Sequence, residues 1–214
     1  MPRSQHAVWE AIASSFDRNR TRTWPHVEAF LRGLPSGSRV LDLMGGNGRH
    51  LAPALAAGHR AVWLDFSRPA SHIVGKRYPE AAVVVADATR LPLADAAFDA
   101  CLFVAGLHSL PTTAARAESL AELHRVLRPG GMAQVTVWSR DAPRFRDQGT
   151  LGEPLDVVIP WKSDGHDAPR HYFLYTPQAL TRELESAGFL VEQVTHATVV
   201  AAEDNLVAQV RRPT

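Results

Sequence analysis

Short apolar runs alternating with helical stretches constrain this chain more than any other feature. Residues 39–44, 60–65, 82–86, 98–104 and 132–138 are each brief, apolar or β-branched, and bounded by turn residues. Strands that are apolar throughout need cover on both faces, and alternation with helices supplies it around a parallel sheet. A helix is expected over residues 112–127, with Leu120, Leu123 and Leu127 on one stripe and a stop at Arg128-Pro129-Gly130-Gly131. Thr176-Pro177 reads as the cap and first turn of a later helix that Gly188 closes. Two further strands, 189–195 and 205–210, are joined closely enough to pair antiparallel at one edge. Ahead of the first strand, Val8, Trp9, Ile12 and Phe16 form one amphipathic stripe behind a Ser4 cap. Trp24, Val27, Phe30, Leu31 and Leu34 form a second. Residues 139–175 fit no element, and a connection of that length is expected to be a lid or binding loop.

Composition narrows the functional classes. The 214 residues, 45% apolar and 21% charged, suit one soluble domain, with 1–36 a helical extension and 139–175 an insertion. No apolar run approaches the roughly 18 residues of a membrane span. With 23 basic and 22 acidic residues the net charge is +1, so no general nucleic-acid footprint is present. Residues 1–40 do carry six arginines against Glu10, Asp17 and Glu28. The lone Cys101 excludes an internal disulfide or a zinc site of several thiolates, and the start of the chain has no apolar signal core. A reducing, cytoplasmic location and no metal are expected.

The chemistry concentrates at the strand ends. Val40-Leu41-Asp42-Leu43-Met44-Gly45-Gly46-Asn47-Gly48 leaves the first strand through glycines, which turn tightly and let a ligand approach the backbone. Asp65 closes the second strand, where a carboxylate can accept both ribose hydroxyls. Asp87 follows the third strand, where it could accept an adenine amino proton; either aspartate could instead be a helix cap or turn former. A dinucleotide oxidoreductase would share the first two features but calls for Gly-x-Gly-x-x-Gly, and Arg49-His50-Leu51 supplies no third glycine.

These residues, with Phe98-Asp99 and Leu127-Arg128-Pro129-Gly130-Gly131, resemble the class I S-adenosylmethionine-dependent methyltransferases over residues 37–138. The resemblance implies a Rossmann-like, seven-stranded, mostly parallel sheet. It also implies that Asp42 and Gly45, Gly46 and Gly48 hold the methionyl end of S-adenosyl-L-methionine. Asp65 would then hold the ribose, Asp87 and Ala88 the adenine edge, and Val104 and Ala105 would line the floor. Met44 stands where the family has its first turn glycine, which bears on cofactor affinity.

A narrower likeness extends over nearly the whole chain. Trp9 to Asp17, Arg20, Trp24-Pro25, Leu107-His108, Val137-Trp138, Pro160-Trp161 and His171-Tyr172-Phe173-Leu174-Tyr175 are similar to the tRNA wobble-uridine methyltransferases that esterify 5-carboxymethyluridine. The chain departs from them at His108-Ser109, where they have paired histidines, and at Leu206-Val207, where they have paired tryptophans. The likeness implies tRNA as substrate, and a small zinc-binding activator protein on the uncharged third strand, which would lie at a sheet edge. A carboxylate acceptor is already ionised and needs no base. His108 would hydrogen-bond near the reacting oxygen, or act as base were the acceptor a phenol, alcohol or amine of a small molecule. Trp161, His171 and Tyr172 would form the substrate side, the aromatics stacking on an unpaired base. Arg20 would hold the cofactor carboxylate or a phosphate. A catalytically silent subunit with the same fold is the remaining alternative.

Overall fold

A computed structural model describes residues 5–150, 152–163, 166–200 and 203–214. Helices α1 (Gln5–Asn19) and α2 (Pro25–Gly33) precede β1 (Arg39–Leu43), α3 (Leu51–Ala56), β2 (Arg60–Asp65), α4 (Arg68–Arg77) and β3 (Ala82–Val85). Then follow β4 (Phe98–Val104), a 3-10 turn (Leu107–Ser109), α5 (Thr113–Val126) and β5 (Leu127–Trp138). A second 3-10 turn (Pro143–Phe145), β6 (Leu155–Ser163), β7 (His166–Leu174), α6 (Pro177–Ser186), β8 (Leu190–Val200) and β9 (Glu203–Arg211) complete the order. The main sheet runs β3-β2-β1-β4-β5-β9-β8; β1 to β5 are parallel, and β9 is antiparallel to both its neighbours. The expected doubly covered, mostly parallel seven-stranded sheet is therefore present. β3 lies at its edge, with Val85 exposed.

The period of two along each strand divides the interior. Leu41, Leu43, Cys101 and Phe103 face Leu120, Leu123 and Leu180 on one side of the sheet. Val40, Leu102, Val104 and Trp63 face Val27, Phe30, Leu51 and Val74 on the other. Cys101 is a buried, free packing residue. The helix starts follow from their caps: Thr112 Oγ1 accepts from Ala115 N (3.1 Å) and Thr176 Oγ1 from Ala179 N (3.2 Å). The expected Ser4 cap lies outside the described residues. Among the described residues no helix is long and apolar enough to cross a membrane.

Two expectations need correction. β5 begins at Leu127, upstream of the expected residue 132, and passes through Pro129-Gly130-Gly131 with a register shift against β4 between Phe98 and Ala100. Residues 139–175 are not an unstructured connection: they contain the antiparallel hairpin β6–β7, in full register from Leu155↔Leu174 to Ser163↔His166. Proline in both strands, Pro160 opposite Pro169, hides the hairpin from a strand search. One face of the hairpin carries both of these clusters: toward the tip Trp161 and Ala168 pack on Val8 and Ile12 of α1, and toward the base Leu155, Val157 and Ile159 gather around Phe145 and Leu174. The wholly buried Arg140 holds the intervening turn through the carbonyls of Phe145, Gln148 and Thr150.

Candidate cofactor crevice and acceptor site

Parallel strands bring β1, β2, β3 and β4 out on one edge, and a crevice opens there. Its inner walls include Asp42, Gly45, Gly46, Asp65, Val104 and Ala105. Trp9, Ala13 and Phe16 of α1 cover it. An adjoining lobe is walled by His6, Phe66, Asp87, Ala88, Leu110 and Pro111. The helix cover is fastened at both ends. Arg77 of α4 makes two 2.8 Å bonds to the Asp17 carboxylate, and Gln5 bonds to the backbone of Pro169 and His171 on β7.

The turn after β1 fits a ligand that needs bare backbone. A Cβ on Gly45 would stand 2.5 Å from Trp63 Cδ1 and 2.7 Å from Asp42 Oδ2, so nothing larger than glycine fits. Gly46 and Gly48 have φ of 54° and 70°, and Gly48 packs where a Cβ would meet Val74 at 2.9 Å. Met44 (φ 54°) and Ala105 (φ 56°) take the same left-handed region without glycine's freedom, at the ends of neighbouring strands. Strain of this kind persists where the surroundings enforce it, and here both residues wall the crevice.

Three carboxylates meet in this space. Asp65 Oδ2 accepts from Gly46 N and Oδ1 from Ser67 N, each at 3.0 Å, which leaves lone pairs on both oxygens. Burial pushes its pKa up, against the backbone bonds that lower it. Asp42 is pushed up to about 7, foremost by burial, with Arg49 opposing and Asp65 adding to the rise. Its Oδ2 is buried and has no hydrogen-bond partner among the described residues. Asp87 lies further out; its Oδ1 accepts from the backbone and hydroxyl of Thr89, both at 2.8 Å.

The other residues singled out in the sequence fall differently. Arg20 gives its carbonyl to Asn47 Nδ2 (2.6 Å), and its guanidinium is not among the crevice walls. His108 is buried in the 3-10 turn behind Ser109, which forms the wall. The His108 ring stacks on Trp138 (5.1 Å) and lies 5.3 Å from Tyr172. Tyr172 is buried, 4.2 Å from Trp138 and 6.3 Å from Trp9, and its hydroxyl accepts from Arg170 Nη1 at 2.6 Å. Trp161 packs between hairpin and α1, donating to Ser15 Oγ at 2.9 Å. His171 alternates away from Tyr172 and pairs with Asp156 at 2.9 Å. Sequence reasoning missed Arg49, His50, Phe66 and Arg170 as site residues. Arg49 directly follows the last turn glycine and Phe66 follows Asp65, so position relative to the strand ends was the available signal.

The raised pKa of Asp42 has a testable sign. The folded chain binds this proton more tightly than the unfolded chain, whose carboxyl titrates near 3.8. The contribution to stability is complete below about pH 4 and disappears as pH rises through about 7, by on the order of 2–4 kcal/mol. Urea unfolding across that range should show stability falling with pH, and Asp42→Asn should flatten the fall. Parallel curves for both proteins would refute the assignment.

Residues 41–135 match the family described as Methyltransferase domain. The tRNA (carboxymethyluridine(34)-5-O)-methyltransferase of Arabidopsis thaliana is 40% identical over 136 residues, 64% of this chain. The protein of that name from Schizosaccharomyces pombe is 28% identical over 203 residues, covering 86% of this chain and 87% of its own length. The chain spans 33% of the Arabidopsis protein and 20% of a similar mouse one, which is 38% identical over 136 residues. Among solved structures, Burkholderia thailandensis 1,6-didemethyltoxoflavin-N1-methyltransferase, bound to S-adenosylhomocysteine, has a TM-score of 0.75 at 23% identity, covering 100% of this chain and 92% of that one. A chain of the Haloferax volcanii complex between the Trm112 methyltransferase activator and a methyltransferase gives 0.74 at 16% identity, with both chains covered in full. The family match begins within β1 and ends within β5, so it takes in the strands and turns that build the crevice, and residues 41–135 are a methyltransferase domain with the class I methyltransferase fold.

Proposed function

We propose that this chain methylates the carboxylate of 5-carboxymethyluridine at the wobble position of tRNA, in the cytoplasm. The observation that carries the reading is the group of rings beside the crevice. Trp9 walls the crevice and would stack on an unpaired base, backed by the buried Tyr172 and by Trp138, with the Arg144 guanidinium 4.2 Å over Trp138 and that of Arg170 5.2 Å from Tyr172. Relatives named for this reaction, at 28–40% identity, point the same way.

The crevice suits S-adenosylmethionine: a bare glycine turn, a buried carboxylate with lone pairs to spare, and an unpartnered Asp42 oxygen. When bound, the cofactor supplies a methyl group on a positively charged sulfur, open to in-line displacement. Asp65 would accept the ribose hydroxyls, and Asp87 with Ala88 would recognise the adenine edge. Among the described residues Arg49 is the one arginine of the inner crevice walls, so the methionyl carboxylate would sit there rather than on Arg20. Trp24 holds the Arg49 guanidinium in place at 4.6 Å from its ring, and Arg49 Nε lies 3.2 Å from His50 Nε2.

His108 supports a carboxylate acceptor over a phenol or amine. The Trp138 N–H points at its Nδ1 (3.4 Å), which puts the ring proton on Nε2. Burial first, then the charges of Arg144 and Arg170, hold its pKa down at about 3. The imidazole therefore stays neutral, a hydrogen-bond donor and a poor base. Trp161, Tyr172 and His171 belong to the hairpin, which would close over the acceptor nucleotide; Trp161 and His171 serve its packing against α1 and its outer face. An activator protein would pair with β3, whose Ala82 and Val85 lie exposed at the sheet edge.

Transfer of labelled methyl to total tRNA from cells lacking this gene should give a base-labile methyl ester in the digested nucleosides. Label confined to small organic acids or phenols would overturn the tRNA reading. Arg49→Met should weaken S-adenosylhomocysteine binding roughly tenfold or more while leaving methylthioadenosine, which lacks the amino-acid end, nearly unchanged. Equal losses for both ligands would remove Arg49 from the carboxylate.

A further inference from the structure

The lobe at Asp87 is partly filled by the chain itself. With Oδ1 of Asp87 occupied by Thr89, Oδ2 is the oxygen left to recognise a ligand, and His6 Nε2 sits 3.4 Å from it. The His6 ring lies flat on Phe66, 4.4 Å between centroids and 16° between planes. A planar heteroaromatic ring, stacked on a phenyl face with a ring nitrogen at a carboxylate, makes the contacts that a bound adenine would make. We infer that His6 is a side-chain gate on the nucleoside end of the crevice, holding Phe66 and Asp87 in the free protein and leaving them when a nucleoside docks. This rests on the reading of that lobe as the adenine end.

The surroundings make the gate cheap to open and define how it moves. His6 is 58% exposed and Asp87 42%, and a polar contact in such a setting contributes little whether or not the imidazole is charged. The backbone beneath His6 stays in place, because its neighbour Gln5 is tied to β7 through Pro169 O (3.2 Å) and His171 N (3.0 Å). The ring therefore leaves by rotation about its own side-chain bonds while α1 remains over the inner lobe. This arrangement selects for the adenine base and not for the sugar or amino-acid end, since the contacts that His6 gives up are those to Phe66 and Asp87.

Calorimetry with two ligands tests this. S-adenosylhomocysteine should bind His6→Ala about three- to tenfold more tightly than the wild-type chain. S-ribosylhomocysteine, the same molecule without the base, should bind both proteins equally. Weaker or unchanged binding of S-adenosylhomocysteine to His6→Ala would overturn the gate, and weaker binding would make His6 an adenine ligand. Equal tightening for both ligands would overturn its restriction to the base. Failure of both proteins to bind S-adenosylhomocysteine would instead refute the cofactor reading beneath it, and the gate with it.

Discussion

The Asp65 carboxylate organises the site. Placed at the end of β2, it takes the Gly46 N–H from the turn after β1 and the Ser67 N–H from the start of α4, so two neighbouring strand ends are tied to one anion. Those bonds compensate the burial of the charge and fix the glycine turn at the distance that keeps the crevice open. Once that geometry is set, Trp63 beneath the turn excludes a side chain at Gly45, and the left-handed backbone at Met44 and Ala105 completes the rim. The proposed cofactor roles follow from this frame: the nucleoside end would lie near Asp87, the ribose at Asp65 and the charged end between Asp42 and Arg49.

Under the proposed function, the cover of the crevice would let a chain of near-zero net charge address a nucleic acid. The helix α1 lies across the opening, held to α4 by the Arg77–Asp17 pair and to the hairpin by Gln5, Trp161 and Ser15. Positive charge is then supplied locally and on aromatic faces, at Arg144 and Arg170, rather than as a broad basic surface. Burial with those two guanidiniums also keeps His108 uncharged. The proposed acceptor carboxylate, already ionised, would meet fixed cations and a neutral donor there, a setting that would orient it without requiring proton removal.

Much of this was legible in the residues because the relevant signals are local. Val40 to Gly48, Asp65 and Asp87 each combine an apolar strand with the residue that ends it, and a parallel sheet necessarily gathers such ends on one edge. Thr112, Thr176 and Pro177 marked helix starts that the structure reproduces to within a residue. The hairpin was not legible, because Pro160 and Pro169 break its apolar alternation and its partner surface is α1, more than a hundred residues away. Side-chain direction was the other blind spot. Nothing local tells that Arg20 turns its carbonyl to Asn47, or that Ser109 and not His108 forms the wall.

The central claim is that a buried carboxylate at the end of β2 holds the cofactor's ribose. Titration calorimetry of S-adenosylhomocysteine against the wild-type chain and Asp65→Asn, which keeps the shape and removes the charge, tests it directly. The account predicts one site per wild-type chain and affinity reduced roughly tenfold or more in the variant. Undiminished binding to Asp65→Asn would contradict it.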